Sequence, residues 1–525
     1  MDLGTTLAQS CARDPDAVAV VDGDTRLSFA AWYDHIRATA GGLHGMGLAR
    51  GDHVVAVMPN RLEMASLYWA CQLSGLIFTP FNWRATSDEI AFVLADAEAK
   101  AVAFDAQGAE AVGAAADRAG LDHAALIAVD DGTGDVAGGT SFAALARSAP
   151  VAGPAGADDS DICLMLYTSG TTGRPKGVPR CHRAERIAAE SCIANQHYRE
   201  GESALGVMPL FHTMGIRILL ASMMLGGKFV CMRAFEVEAA LGLIAAERLT
   251  ALFLVPTMYH DMLGHPRFTD YDCASVRNLG YAGMAMTGAL EDKCRALLRP
   301  EIFCNYYGST EIFTFTTCDY LDRKPGCAGR AGRNQGIRVV VADPDGAAGP
   351  IDVLAPGEVG EVIAAMSSPE AFAGYWKRPD ADAKAIRDGW YFTGDLGWLD
   401  DDGDLTLAGR IDDMIISGGE NIHPEEVEDT LDASPLVRRA AVVGLEDERW
   451  GQKVTAFVEP AALEATADAL DAHCRASALA RFKRPRAYVF VKTIPKSASG
   501  KLLRRMLRTG EYEPLPDYET TLGKG

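Results

Sequence analysis

Short β-branched or apolar runs alternate with longer amphipathic ones along much of this chain, and that rhythm restricts the fold more than any other feature. "HVVAVM" (53–58) precedes "EMASLYWACQLSG" (63–75), and "VEAALGLIAAER" (237–248) leads into "LTALFLV" (249–255). Strand-then-helix alternation implies βα units and mixed or parallel sheets. At 525 residues the chain is too long for one hydrophobic core, so two or more domains are expected. From about residue 337 the texture changes to short strands and turns, "IRVVVADPDG", "GEVGEVIAA" and "DDGDLTLAGR", which predict a small β-rich subdomain. Beyond Arg410, "HPEEVEDTLDA" offers Pro424 at a helix start with acids in the first turn, and "RRAAVVGL" and "KVTAFVEP" read as strands. The resulting expectation is an α/β protein. Residues 1–409 form a large N-terminal domain of mixed βα sheets plus the small β-rich subdomain, and residues 410–525 form a small α+β C-terminal domain.

Charge narrows the partners. Lys and Arg number 50 against 71 Asp and Glu, a net −21, so no long-range field draws the protein to nucleic acid or anionic lipid. The stretch Met64 to Phe81 is interrupted by Gln72, Gly75 and Pro80 and reads as a buried helix running into a strand, not a membrane span. The 12 cysteines have no C-x-x-C pair and no zinc spacing, and the N-terminus lacks an export signal; both fit reduced thiols in a cytoplasmic protein.

After the apolar run "DICLMLY" comes "TSGTTGRPKG", residues 168–177. Glycines let backbone N–H groups converge on an anion, hydroxyls add donors and a lysine adds a point charge, so Thr168, Ser169, Gly170, Thr171, Thr172, Gly173 and Lys176 suit a phosphate cradle. It is not a Walker A loop, because Lys176 follows Pro175. A plain Gly/Thr turn is the alternative for the loop in isolation. Residues 481–508 hold ten Lys or Arg and no acid, which suits a small polyanion such as a nucleotide, with a solvated basic helix as the alternative.

Four further segments follow in order: "YGSTE" (307–311), "YFTGDLG" (391–397), "GRIDDMIISGGENIHPEEVE" (409–428) and "PKSASGK" (495–501). With the loop, this set resembles the adenylate-forming superfamily of acyl-CoA synthetases, adenylation domains and luciferases, over residues 51 to 505. "DDMIISGGENIHPEEVE", "DERWGQKVTA" and "FKRPR" look most like bacterial CoA ligases for aromatic acids. The resemblance implies ATP, Mg²⁺ and coenzyme A as cofactors, and a small-molecule carboxylic acid as partner. It implies Glu311 as the Mg²⁺ carboxylate, since a hard oxygen suits a hard cation. Asp395 and Arg410 would hold the ribose, while Ala282, Gly283, Asn305, Tyr306, Tyr307, Gly308 and Thr310 would form the nucleotide wall. For Asp395 a turn cap is the competing role. Lys501 would stabilise charge as a carboxylate attacks the α-phosphorus, with Thr168 in the same catalytic set. The small C-terminal domain would be mobile, swinging about a hinge at Asp412 to present Gly418 and Gly419 to the pantetheine arm. Trp450 would pack near that arm, with Arg84, Lys483, Arg484 and Arg486 as candidates for the CoA phosphates. Gly418 and Gly419 suit a tight turn equally well.

The acyl pocket is expected from Phe211, His212, Met214, Met258, Met284, Tyr306 and Phe313, an apolar, aromatic and sulfur-rich lining, with His212 gating the first step. Two departures bear on the acid. Where many relatives read "GGAPL" this chain reads "YAGMAM", and Arg217 sits in an apolar helix, either pairing a second substituent of the acid or reaching the surface. The expected activity is ATP-dependent carboxylic acid:CoA ligation through an acyl-AMP, with an aromatic or alicyclic acid favoured. A medium-chain fatty acid, or a stand-alone enzyme loading an acyl carrier protein, is the alternative. Amino-acid activation is disfavoured because "PLFHTMG" lacks an early Asp, and a homodimer stays open.

Overall fold

The computed structural model describes all residues except 130–138, 169–174, 344–347, 419, 463, 498–501, 517 and 519–525. The chain divides into two compact units, residues 1–336 with 365–385, and residues 337–364 with 386–525.

In the first unit the βα segments build two sheets. A seven-stranded sheet runs in the order Thr140–Ser141, Leu126–Ala128, Ala101–Phe104, His53–Val57, Ile77–Phe81, Ile162–Thr168, Lys176–Cys181. Its paired neighbours are parallel except the last two strands, which form an antiparallel pair. The strands His53–Val57 and Ile77–Phe81 are buried along their whole length, as central strands covered by helices on both faces must be. The helix Leu62–Ser74 between them is buried from Met64 onward, so the apolar stretch from Met64 to Phe81 is core helix then strand, as the sequence indicates. Among the described residues no helix is long and apolar enough to cross a membrane.

The second sheet has nine strands, in the order Arg330–Ala331, Thr316–Cys318, Ile302–Tyr307, Asn278–Ala282, Ala251–Leu254, Ala204–Gly206, Phe229–Cys231, Val18–Asp22, Thr25–Ser28. Trp32, Tyr68, Trp69, Phe78 and Phe229 share one large core, each side chain of this kind contributing about 1.5–3 kcal/mol on burial. Trp32 keeps its indole satisfied inside that core by donating to Ser66 Oγ at 2.9 Å.

The second unit contains a five-stranded sheet built from Ile337–Val340, Gly360–Ala365, Trp390–Leu399, Ile386–Arg387 and Leu405–Arg410. A second five-stranded sheet follows, from Ile415–Ser417, Glu420–Ile422, Val437–Asp447, Gly451–Pro460 and Ala487–Phe490. The helix Pro424–Asp432 begins at proline with Glu425 and Glu426 in its first turn, the start its sequence encodes. By compactness, the β-rich residues 337–364 and 386–409 belong with the C-terminal residues, so Arg410 and Asp412 lie inside this unit.

Candidate active site

The last two strands of the seven-stranded sheet flank the glycine- and threonine-rich segment. Their register pairs Thr168 with Lys176, so the two ends of the glycine- and threonine-rich segment stand side by side. Ser169, Gly170, Thr171, Thr172 and Gly173 lie outside the described residues, as do Gly419 and Lys501. The Lys176 ammonium sits 4.0 Å from the centre of the Tyr375 ring, and the Tyr375 hydroxyl donates to Glu311 Oε1 at 2.7 Å. Tyr375 and Glu311 are both buried.

The turn carrying Glu311 is held from several directions. Ser309 Oγ accepts the backbone N–H groups of Glu311 and Ile312, each at 3.2 Å. Arg180, at the end of the loop's second strand, donates from Nη1 to the carbonyls of both Glu311 and Glu370 at 2.7 Å. Phe372 N–H reaches the Glu311 carbonyl at 2.9 Å. Gly308 is obligatory: a Cβ there would lie 1.7 Å from the Phe313 carbonyl oxygen. Thr310, next to Glu311, is half-buried. Glu311 Oε2 takes no hydrogen bond among the described residues, which leaves one hard oxygen donor for a cation, the chemistry Mg²⁺ requires.

The nucleotide-wall candidates come from neighbouring parallel strands whose register pairs Ala282 with Tyr306. Gly283 follows with φ +88°. Asn305 spends its amide donor on the Cys327 carbonyl at 2.9 Å, Tyr306 is buried, and Tyr307 is half-buried with its ring 5.1 Å from Phe315. In the second unit Asp395 and Arg410 are cross-strand partners, joined by a 2.8 Å ion pair. One carboxylate and one guanidinium thus share a spot on the sheet, a paired acceptor and donor of the kind a diol needs.

Among the acyl-pocket candidates, Met214, Tyr306 and Phe313 are buried in one cluster with Met258 packed against it; Phe211 and Met284 are half-buried outside it. The Tyr306 and Phe313 rings lie 5.0 Å apart, and the Tyr306 hydroxyl is satisfied by Thr314 Oγ1 at 2.9 Å and Asn195 Nδ2 at 3.3 Å. Half-buried His212 caps the helix Thr213–Met224, its Nδ1 accepting the Met214 N–H at 3.3 Å.

Arg217 does not reach the surface. It is fully buried, ion-paired to Glu185, and donates from Nη1 to the Glu185 carbonyl at 2.5 Å. Glu185 also takes Arg180 Nε at 2.8 Å, so one carboxylate serves two buried guanidinium groups. Burial lowers the Arg217 pKa to about 10, which leaves it charged at neutral pH. Its charge is therefore engaged within the chain, 5.3 Å from the Phe313 ring.

Two of the CoA candidates in the second unit, Gly418 and Arg486, meet Trp450. Gly418 donates its N–H to the Trp450 carbonyl at 2.8 Å. It has φ +63°, and a Cβ there would meet Trp450 Cε3 at 2.9 Å, so a side chain is excluded on two counts. Arg486 stacks 3.8 Å from the centre of the Trp450 ring. Arg484 is half-buried and donates to the Leu479 carbonyl at 3.4 Å, and Lys483 pairs with Glu426 at 2.5 Å. In the first unit Arg84 stacks on Trp83 at 3.8 Å. Asp412 is exposed, and the next residue, Asp413, is bound by Arg504 at 3.2 Å and Arg508 at 3.0 Å. Arg504 also holds Glu428 at 2.7 Å, so part of the basic segment is spent on the fold. All 12 cysteines are free thiols, ten buried and two half-buried.

Sequence reading missed Arg180, Glu185, Glu370 and Tyr375. The readable signal was Arg180 in an otherwise apolar strand end five residues before Glu185, two opposite charges that both face inward.

This α/β fold is that of the adenylate-forming ligases. The family model for the AMP-binding enzyme matches residues 7–376, and that for the AMP-binding enzyme C-terminal domain matches residues 426–501. The chain belongs to this family of AMP-forming acid–CoA ligases. It is 35% identical to a feruloyl-CoA synthase of Amycolatopsis sp, over 96% of this chain and 98% of that one. It is 33% identical to the long-chain-fatty-acid–CoA ligase FadD13 of Mycobacterium tuberculosis, over 97% and 98%. It is 34% identical to a 4-chlorobenzoate–CoA ligase of Arthrobacter sp, over 96% and 94%. Among solved structures, the anthranilate CoA ligase AuaEII in complex with anthranoyl-AMP superposes with a TM-score of 0.88 at 25% identity, covering 97% of each chain.

Proposed function

We propose that the protein activates a ring-bearing carboxylic acid with Mg²⁺ and ATP and passes the acyl group to coenzyme A. The observation that carries this reading is the linked set Lys176, Tyr375 and Glu311 beside Thr168, a cation and a partly unengaged carboxylate at the mouth of a phosphate loop. In the first step a carboxylate oxygen attacks the α-phosphorus and the bond to pyrophosphate breaks, leaving acyl-AMP. Lys176 binds the phosphates, and Lys501 offsets the negative charge that builds on the phosphoryl oxygens. Glu311 would hold Mg²⁺, which would neutralise phosphate charge. Asp395 and Arg410 bind the ribose.

In the second step the thiol sulfur attacks the acyl carbonyl, the bond to AMP breaks, and the thiol proton leaves to solvent. Residues beyond a pivot at Asp412 serve this step, with Gly418, packed against the Trp450 ring, presented to the thiol arm. The paired rings of Tyr306 and Phe313, with Met214 and Met258, support an aromatic or alicyclic body, as do the ferulate and chlorobenzoate named for two relatives.

Pyrophosphate release across a panel of aryl, alicyclic and straight-chain acids tests the reading, with mass spectrometry of the product formed on coenzyme A or on a carrier protein. An aryl or alicyclic acid should give the highest kcat/KM. A straight-chain acid in first place would transfer the assignment to fatty acids, and no AMP from any acid would end it.

A further inference from the structure

Residues 371–376 join the two halves of the phosphate site. Ala371 bridges to Ile312 and Phe372 N–H binds the Glu311 carbonyl at 2.9 Å, so one end of the segment is fixed to the carboxylate turn. Trp376 N–H binds the Gly177 carbonyl at 2.9 Å, so the other end is fixed to the strand that carries Lys176. Tyr375 stands between these anchors, its own N–H held by Asp382 Oδ1 at 2.7 Å. Its hydroxyl takes Glu311 Oε1 and its ring face takes the Lys176 ammonium.

We infer that Tyr375 is a positioning residue with two separable duties: its hydroxyl fixes the Glu311 carboxylate for the metal, and its ring holds the Lys176 ammonium for the phosphates. This rests on the reading of Glu311 as the Mg²⁺ carboxylate. A single hydrogen bond to Oε1 removes one of the two equivalent orientations of the carboxylate and leaves Oε2 as the coordinating atom. An aromatic face attracts an ammonium without neutralising it, so the ring orients Lys176 and restricts its four-carbon stem. A carboxylate in the place of Tyr375 would hold the lysine more tightly but would compete with the phosphates for it.

Two substitutions separate the duties. Y375F keeps the ring and loses the donor; Y375Q keeps a donor and loses the ring. Binding of Mn²⁺ in the presence of ATP is read from the electron paramagnetic resonance signal of free Mn²⁺, and metal-free ATP affinity from calorimetry, on the full-length protein. Y375F should weaken Mn²⁺ binding about tenfold and leave metal-free ATP affinity unchanged. Y375Q should show the reverse, a several-fold loss in ATP affinity with Mn²⁺ binding retained. In an E311Q background, Y375F should add nothing to the loss of Mn²⁺ binding, which holds even if one single variant folds poorly. Equal losses of both ligands in both variants, or an additive effect in the double variant, would overturn the inference. If E311Q itself bound Mn²⁺ like the native protein, the underlying assignment of Glu311 would fall instead.

Discussion

Arg217 and Glu185 form an ion pair with side chains 0% and 1% exposed, and Glu185 shares its other oxygen with Arg180. Removing one member of such a pair leaves a desolvated charge behind. Arg217→Ala should therefore lower stability by about 3–5 kcal/mol in urea unfolding, while Arg217→Met paired with Glu185→Gln should be milder. Because the charge is already engaged, neither change should alter the ratio of kcat/KM between dicarboxylic and monocarboxylic acids. A selective loss of dicarboxylic acids would return Arg217 to the pocket.

Lys501→Ala should slow pyrophosphate release by about 100- to 1000-fold, the usual effect of deleting a group that meets charge developing in the transition state. Thioester formation from supplied acyl-AMP should stay near the native rate. Rapid quench of each half-reaction separates the two, and parallel losses would contradict the assignment.

Asp412 lies exposed in the short 3₁₀ turn Ile411–Asp413. Proline there fixes φ, so Asp412→Pro should spare adenylation and slow thioester formation if the chain pivots at this residue. Single-turnover measurement of both steps is the check, and a balanced loss would argue against the pivot.

His53 and His182 are both buried, and burial first of all holds each near pKa 4. The His182 Nδ1 accepts the Leu3 N–H at 3.1 Å, a contact that requires the neutral ring. A folded-state pKa below the unfolded value of about 6.5 stabilises the fold above pH 6.5, and that contribution is lost as pH falls toward 4. Thermal melts should fall over this window, by up to about 1.4 kcal/mol per pH unit for each ring. His182→Asn, which retains an acceptor for Leu3, should flatten the slope.

The sequence made the local parts of the molecule readable and the cross-chain parts opaque. The strands Ile162–Thr168 and Gly451–Pro460 and the helix Pro424–Asp432 fall where periodicity and caps place them, since neighbouring residues decide those elements. The pairing of Thr168 with Lys176 follows from one hairpin. Tyr375 was illegible because its meaning comes from Glu311, 64 positions away, and from Lys176, on a different strand. From sequence alone Arg217 fits either a pocket group or a surface group. Its partner Glu185 sits on another helix, and helix packing, not spacing, brings the two together.

The twelve thiols bear on chemoselectivity. A mixed anhydride of an acid with AMP acylates any thiolate it meets, and a protein rich in reactive thiols would modify itself. Ten of the cysteines here are buried, and burial pushes the thiols of Cys11 and Cys294 up to about 12 and that of half-buried Cys273 to about 11. Burial thus keeps these three thiols protonated and poor nucleophiles toward an activated acid at neutral pH.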